Sequence, residues 1–179
     1  MGFCIKGKAA FFIILLCILF GPATAYSRDA GKNYTDGVKY AKAGNNEMAF
    51  ISFHSVITYS DNSKYAEDSL FATGEYYFMA KAYDEALQTF ERVKEKYPDS
   101  KTAPLALAYL LKIAEIQGRQ YLADRLKEKI ISMKQHSFLF SESKEYKYTS
   151  AFLKNYKVVH YIDKIEFYID EKIFAQVSH

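Results

Sequence analysis

The sequence has almost no cysteine. Cys4 and Cys17 are the only two among its 179 residues, and both lie in an N-terminal stretch that is typical of a removable leader. Without that leader the chain has no thiol. The sequence therefore excludes a disulfide framework, a cysteine-ligated zinc site and a cysteine nucleophile in the mature protein.

The sequence also lacks an excess of charge of either sign. It has 24 lysines and arginines against 21 aspartates and glutamates, and removing Lys6 and Lys8 with the leader leaves 22 against 21. Nucleic acids and anionic membranes attract a clustered positive excess, so neither is expected as the main partner. Half of the residues are hydrophobic and 17% are aromatic, a composition that predicts a packed core and argues against disorder.

The first 25 residues are typical of a signal peptide. Two lysines precede an apolar run from Ala9 to Gly21, which Pro22 ends. At 1.5 Å per residue this run spans about 20 Å, short of the ~30 Å hydrocarbon core, so retention as an anchor is the weaker alternative. The run is followed by Ala-Thr-Ala, a signal-peptidase pattern. We predict cleavage after Ala25 and a periplasmic or secreted protein without a lipid tail.

An internal repeat with a period of 37 residues follows the leader. The identical pairs at this shift are Gly37/Gly74, Tyr40/Tyr77, Ala43/Ala80, Ala49/Ala86, Phe53/Phe90, Val56/Val93, Ser63/Ser100, Lys64/Lys101 and Ala66/Ala103. A degenerate third copy has Ala123, Ile130 and Gly118 at equivalent places. The spacing within a copy is that of two helices joined by a turn. It predicts helices at about 30–43, 46–59, 64–81, 83–97, 101–117 and 120–134.

These repeated residues resemble the tetratricopeptide repeat (TPR). The residues that carry the resemblance are Gly74, Tyr77, Ala86, Phe90 and Pro98. The third copy departs from the motif, with Leu111 in the place of the glycine and Lys127 in the place of the phenylalanine. Terminal repeats are often atypical. The resemblance implies an all-α helix-turn-helix solenoid of about three repeats over residues 26–135.

The residues after the second copy are similar to the bacterial envelope branch of the TPR family. Tyr97-Pro98-Asp99-Ser100 is followed by alanines, and the period exceeds the usual ~34 residues. That branch includes an outer-membrane assembly lipoprotein and the Tol-Pal coordinator, although this sequence has no lipobox. The resemblance implies a non-enzymatic adaptor or scaffold in outer-membrane protein assembly or envelope maintenance. An accessory subunit of a secretion, pilus or polysaccharide-export apparatus is the alternative.

In the TPR family the first helix of each pair lines a binding groove. The matching positions here are Tyr34, Val38 and Lys42 in the first copy, Phe71, Glu75, Phe78 and Met79 in the second, and Lys112, Glu115 and Ile116 in the third. Aromatic and apolar side chains in such a groove anchor a partner segment. We therefore predict an envelope protein or peptide segment as the partner. In the alternative interpretation, Phe71 and Phe78 pack against the next helix. The sequence leaves the oligomeric state open.

Residues 136–179 form an extension whose structure the sequence leaves open. As a helix, Val158, Ile162, Ile165, Ile169 and Ile173 make one apolar stripe. As strands, residues 165–169 alternate in polarity and Asp170-Glu171 turns the chain back into a second strand, which the β-branched and aromatic content favours. The helical context favours a helix that caps the third repeat, and this is our primary prediction.

The sequence shows no pattern typical of catalysis, metal binding or cofactor binding. Its four histidines are isolated, and it has neither a glycine-rich phosphate loop nor a nucleophile elbow. We predict no catalytic residue, no metal and no cofactor. The rival from another class is a glycan-binding or enzymatic module with its site in the aromatic tail, which exposed tyrosines on strands would favour. Asn33-Tyr34-Thr35 matches a glycosylation acceptor, which we interpret as an ordinary helix-start asparagine.

Overall fold

The computed structural model describes residues 29–135 and 144–178. The described residues form six α-helices, namely α1 Ala30–Lys42, α2 Asn46–Tyr59, α3 Ala66–Met79, α4 Tyr83–Lys96, α5 Thr102–Ile116 and α6 Gln120–Gln135. They also form β1 Lys144–Thr149, β2 Asn155–His160, β3 Lys164–Ile169 and β4 Lys172–Ser178. The predicted signal peptide and its cleavage site lie outside the described residues. None of the helices in the described ranges has the length and apolarity needed to cross a membrane.

The helices form three pairs that stack in chain order, each helix packing against the next. Their positions confirm the predicted solenoid, with every helix end within two residues of its expected place. Asp29 and Asn45 cap α1 and α2, because their side chains accept hydrogen bonds from backbone N–H groups of the first turn.

The repeated Gly–Phe pair marks the crossing point within each of the first two helix pairs. A Cβ atom on Gly37 would lie 2.5 Å from Phe53, and one on Gly74 would lie 2.8 Å from Phe90. Only glycine lets the helices approach so closely around a buried ring. In the third pair, where no phenylalanine is present, the glycine position carries the fully buried Leu111.

The turn between the two helices of each pair uses a left-handed residue. These residues are Gly44, Lys81 and Gly118, with φ of 76°, 60° and 66°. They are spaced by the repeat period of 37, so the same turn occurs in all three copies. Lys81 is the exception among the three, because a residue other than glycine is less stable in the left-handed conformation by about 1 kcal/mol.

The extension is a sheet, so the primary prediction of a capping helix was wrong and the strand alternative is confirmed. Its four strands pair antiparallel in the order β1-β2-β3-β4. Asp170 and Glu171 turn β3 into β4 with φ of 47° and 63°, as a two-residue hairpin requires. The physical reason is the burial pattern: Phe167 is buried while Ile173 is exposed, the reverse of what the helical stripe would need.

Candidate functional site

The sheet packs against the first helices of the pairs, which are the helices predicted to line the groove. The ring of Phe71 on α3 lies 5.8 Å from that of Tyr148 and 5.6 Å from that of Tyr156, measured between centroids. Farther along α3, Phe78 lies 5.9 Å from Phe174 of β4. The centre of the predicted groove is therefore filled by the chain's own C-terminal region.

The turn between β1 and β2 reaches the first repeat. Phe152 in this turn lies 5.5 Å from Phe53, edge to face. Ala151 is buried in the same small apolar cluster, against which Tyr34 and Val38 of α1 also pack. The C-terminal region thus contacts all three helix pairs, since β4 also packs against α5 and α6.

Glu75 is a fully buried carboxylate at the centre of this interface. Its Oε1 accepts hydrogen bonds from the hydroxyls of Tyr156 at 2.6 Å and Ser150 at 3.1 Å. The Lys154 ammonium lies 3.6 Å from the same oxygen. Burial raises the pKa of Glu75, and Lys154 and the two hydroxyls oppose that rise only in part. These three partners belong to the sheet and its first turn, so Glu75 holds the sheet in place.

A second hydroxyl extends this network into α5. The hydroxyls of Tyr109 and Tyr156 lie 2.6 Å apart. Since Tyr156 donates its proton to Glu75, its oxygen accepts from Tyr109. Burial raises the pKa of both tyrosines well above their ordinary value, and the nearby Glu75 carboxylate adds to the rise. Both side chains therefore stay neutral and act as donors in a chain that ends on the carboxylate.

Asp68 gives the sheet a second acidic anchor on α3. It accepts a hydrogen bond from Tyr148 at 2.7 Å and one from Tyr34 of α1 at 3.4 Å. Burial and the Asp68 carboxylate raise the pKa of Tyr34 to about 12. Asp68 and Glu75 are seven residues apart, which places them on one face of the helix. One helix thus supplies both carboxylates that accept hydrogen bonds from Tyr148 and Tyr156 of the sheet.

The predicted groove residues separate into a covered centre and an exposed rim. Phe71 and Glu75 are fully buried, and Phe78 is partly buried under Phe174. The rim residues keep contact with solvent: Lys42, Met79, Glu115 and Ile116 are exposed, while Tyr34, Val38 and Lys112 are half-buried. Lys112 and Glu115 form an ion pair at 3.7 Å. The role of these ten residues in binding a partner stays a prediction, and the alternative packing role describes Phe71 and Phe78 in this structure.

Sequence reasoning missed the residues that fill the groove. Tyr148, Ser150, Lys154 and Tyr156 make the contacts with α3, and Tyr109 joins them from α5. The spacing of Tyr146 and Tyr148, two residues apart, is the available signal, because it is typical of one face of a strand. It does not indicate where that face packs.

Within residues 29–135 and 144–178, no group of three or more His, Cys, Asp or Glu side chains could hold a metal ion. His54 lies on the exposed surface of α2, next to Thr58, whereas His136 and His179 fall outside the described ranges. The side chain of Asn33 is buried, which favours its interpretation as a structural residue over a glycosylation acceptor.

The tyrosines of the sheet do not favour the alternative hypothesis of a glycan-binding module. Tyr148 and Tyr156 face the helices, with Tyr156 fully enclosed. On the outer face, the ammonium of Lys157 lies 4.4 Å from the ring centroid of Tyr168, and that of Lys164 lies 5.0 Å from that of Tyr161. These aromatic faces are already engaged in cation–π contacts.

Comparison with known proteins agrees with this geometry. The tetratricopeptide repeat family matches residues 68–100, a stretch that begins in α3 and ends just after α4. The six described helices fit a TPR helical solenoid. TPR repeats are generally non-catalytic modules that bind other proteins. No curated protein matches the chain.

Proposed function

We propose that this protein is an exported, non-enzymatic TPR adaptor that binds another protein of the cell envelope. Three features support the proposal: the TPR solenoid, the leader-like residues 1–25, and the similarity of residues 97–100 to the envelope branch of the family. Its task by that similarity is outer-membrane protein assembly or envelope maintenance. The partner is a protein or peptide segment, and the solenoid supplies the surface that holds it.

The rim of the groove is the surface that we assign to the partner. Lys42, Met79 and Ile116 occupy equivalent positions at the C-terminal ends of the three first helices. Met79 is 40% exposed and Ile116 is 47% exposed. Two of the three equivalent positions thus carry an exposed apolar side chain, and apolar side chains exposed side by side on neighbouring repeats support an interaction surface. This repetition is the observation that carries the proposal.

The β1–β2 turn adds an exposed apolar side chain, Leu153, at the same end of the groove. Along β1 the chain passes from Tyr148 at Asp68 to Ser150 at Glu75, and so runs toward the C-terminal end of α3. The turn that follows carries the exposed Leu153. The β3–β4 turn lies beside it, since Asp170 N–H donates to Asn155 O at 2.9 Å. The exposed Ile173 after that turn pairs with Tyr168 and so lies on the outer face of the sheet, away from the groove.

A pull-down from detergent-solubilised envelope with tagged residues 26–179 tests this proposal. The test variant is Met79→Lys with Ile116→Lys, which places two charges on the rim. The matched control is Tyr59→Lys with Ile162→Lys, which changes two exposed apolar residues at the opposite end of the molecule. Circular dichroism checks that both variants fold.

We expect the wild type and the control variant to enrich the same envelope protein, and the rim variant to lose it. Equal enrichment by the rim variant would show that the partner binds elsewhere. If no envelope protein is enriched by the wild type, the adaptor role itself is contradicted.

A further inference from the structure

The strand β1 lies at an edge of the sheet. It pairs with β2 on one side, and no strand of the described residues pairs with its other side. An edge strand presents backbone N–H and C=O groups that can pair with another strand. The opposite edge strand, β4, has an irregular register near Phe167 and Tyr168 and packs against α5 and α6. Of the two edges, β1 is therefore the one suited to pairing.

The outward side chains of β1 have opposite charges. Glu145 and Lys147 point to the outer face of the sheet, where their side chains are 47% and 72% exposed and form an ion pair at 3.1 Å. If two β1 strands pair antiparallel about Tyr146, Glu145 of each copy lies opposite Lys147 of the other. Opposite charges facing each other across strands stabilise the pairing. The pattern is self-complementary in this register.

The neighbouring register is disfavoured by the same charges. Centring the pair on Lys147 would place the two lysines directly opposite each other, which destabilises a sheet. Within one copy, Lys147 already faces Lys157 of β2. Lys157 is paired with Glu171 at 2.9 Å, whereas Lys147 has only Glu145 of its own strand as a described ion-pair partner. A second carboxylate beside Lys147 would offset this like-charge contact.

From these observations we propose that two copies of this chain associate through β1, so that their sheets join into one continuous antiparallel sheet. The occupant of the β1 edge is a second copy in the register centred on Tyr146. This interface is separate from the rim that we assign to the adaptor's partner, so either proposal can fail without the other.

The molar mass of residues 26–179 in solution tests the association. Light scattering coupled to size exclusion, over a wide range of concentration, should show a dimer for the wild type. Lys147→Glu places two glutamates opposite each other at both symmetric contacts, and should weaken the dimer about tenfold or more. The double variant Glu145→Lys with Lys147→Glu swaps the charges and should restore it. Circular dichroism checks the fold of each variant.

A monomeric wild type at every concentration would overturn the proposal. So would a dimer that Lys147→Glu does not weaken, or one that the charge swap does not restore. Cysteine probes test the register directly, because residues 26–179 contain no other thiol. A mixture of Glu145→Cys and Lys147→Cys chains should form an intermolecular disulfide on mild oxidation. Either variant alone should not, because like positions are then too far apart.

Discussion

The centre and the rim of the groove lie on the same helices, the first helix of each pair, yet they differ in exposure. Phe71 and Glu75 are buried under the C-terminal sheet, whereas Met79 and Ile116 remain exposed. The repeat motif alone does not set this difference, because it arises from the segment that follows the repeats. A groove position in a TPR solenoid therefore indicates a contact surface without saying whether the contact is made within the chain.

The largest expected effect is at the centre, in Phe71→Ala. The ring contacts Phe90, Tyr109, Tyr148 and Tyr156, so its removal leaves a cavity between the helices and the sheet. We expect a loss of about 4 kcal/mol in the free energy of unfolding, measured in urea. Ile116→Ala on the exposed rim is the control and should lose less than about 1 kcal/mol. Equal losses would contradict the distinction between the two regions.

The second largest effect is the difference in stability between removing the central carboxylate of Glu75 and removing the rim carboxylate of Glu115. Glu75→Ala leaves the buried Tyr156 hydroxyl and the Lys154 ammonium without their acceptor, and should cost about 3 kcal/mol. Glu115→Ala removes an exposed partner of Lys112 and should cost about 0.5 kcal/mol or less. Urea denaturation of both variants measures the contrast. A Glu75→Ala variant as stable as the wild type would show that the carboxylate does not hold the sheet.

The smallest effect is a difference in pH dependence. Because burial raises the pKa of Glu75 above its usual 4.5, the folded chain holds this proton more tightly than the unfolded chain. The group's contribution to stability is therefore full below pH 4.5 and is lost as the pH rises through the raised pKa. Glu75→Gln has no titrating group at this position.

The stability of the wild type relative to Glu75→Gln should fall as the pH rises through this window. Denaturation of both proteins across the window measures the difference, and Glu115→Gln provides the exposed control. Parallel stability curves for the wild type and Glu75→Gln would mean that the carboxyl titrates alike in the folded and unfolded chains.

The solenoid was predictable from the sequence because its signals are local and repeated. Gly37 with Phe53, and Gly74 with Phe90, recur at one spacing, and each pair fixes a helix crossing. The sequence of the C-terminal extension, residues 136–179, contains two patterns that predict different structures. An apolar helical stripe and a strand alternation shared Ile165 and Ile169, and only the packing of Phe167 and Tyr156 against other elements distinguishes them.

The filling of the groove could not be predicted because it depends on contacts between distant parts of the chain. Glu75 and Tyr156 are separated by 81 residues. No local pattern around Glu75 indicates whether its partners come from another protein or from the same chain. The acidic residues of α3 and the tyrosines of the tail were both visible in the sequence, but their pairing follows from the three-dimensional fold.

Nuclear Overhauser contacts between the aromatic rings test the central claim most directly. If the sheet fills the groove, the ring protons of Phe71 will show contacts with those of Tyr148 and Tyr156, whose centroids lie 5.8 and 5.6 Å away. The Phe71 ring will also be protected from a soluble paramagnetic agent. A Phe71 ring that lacks these contacts and is relaxed by the agent would show that the groove is open, and would contradict the account.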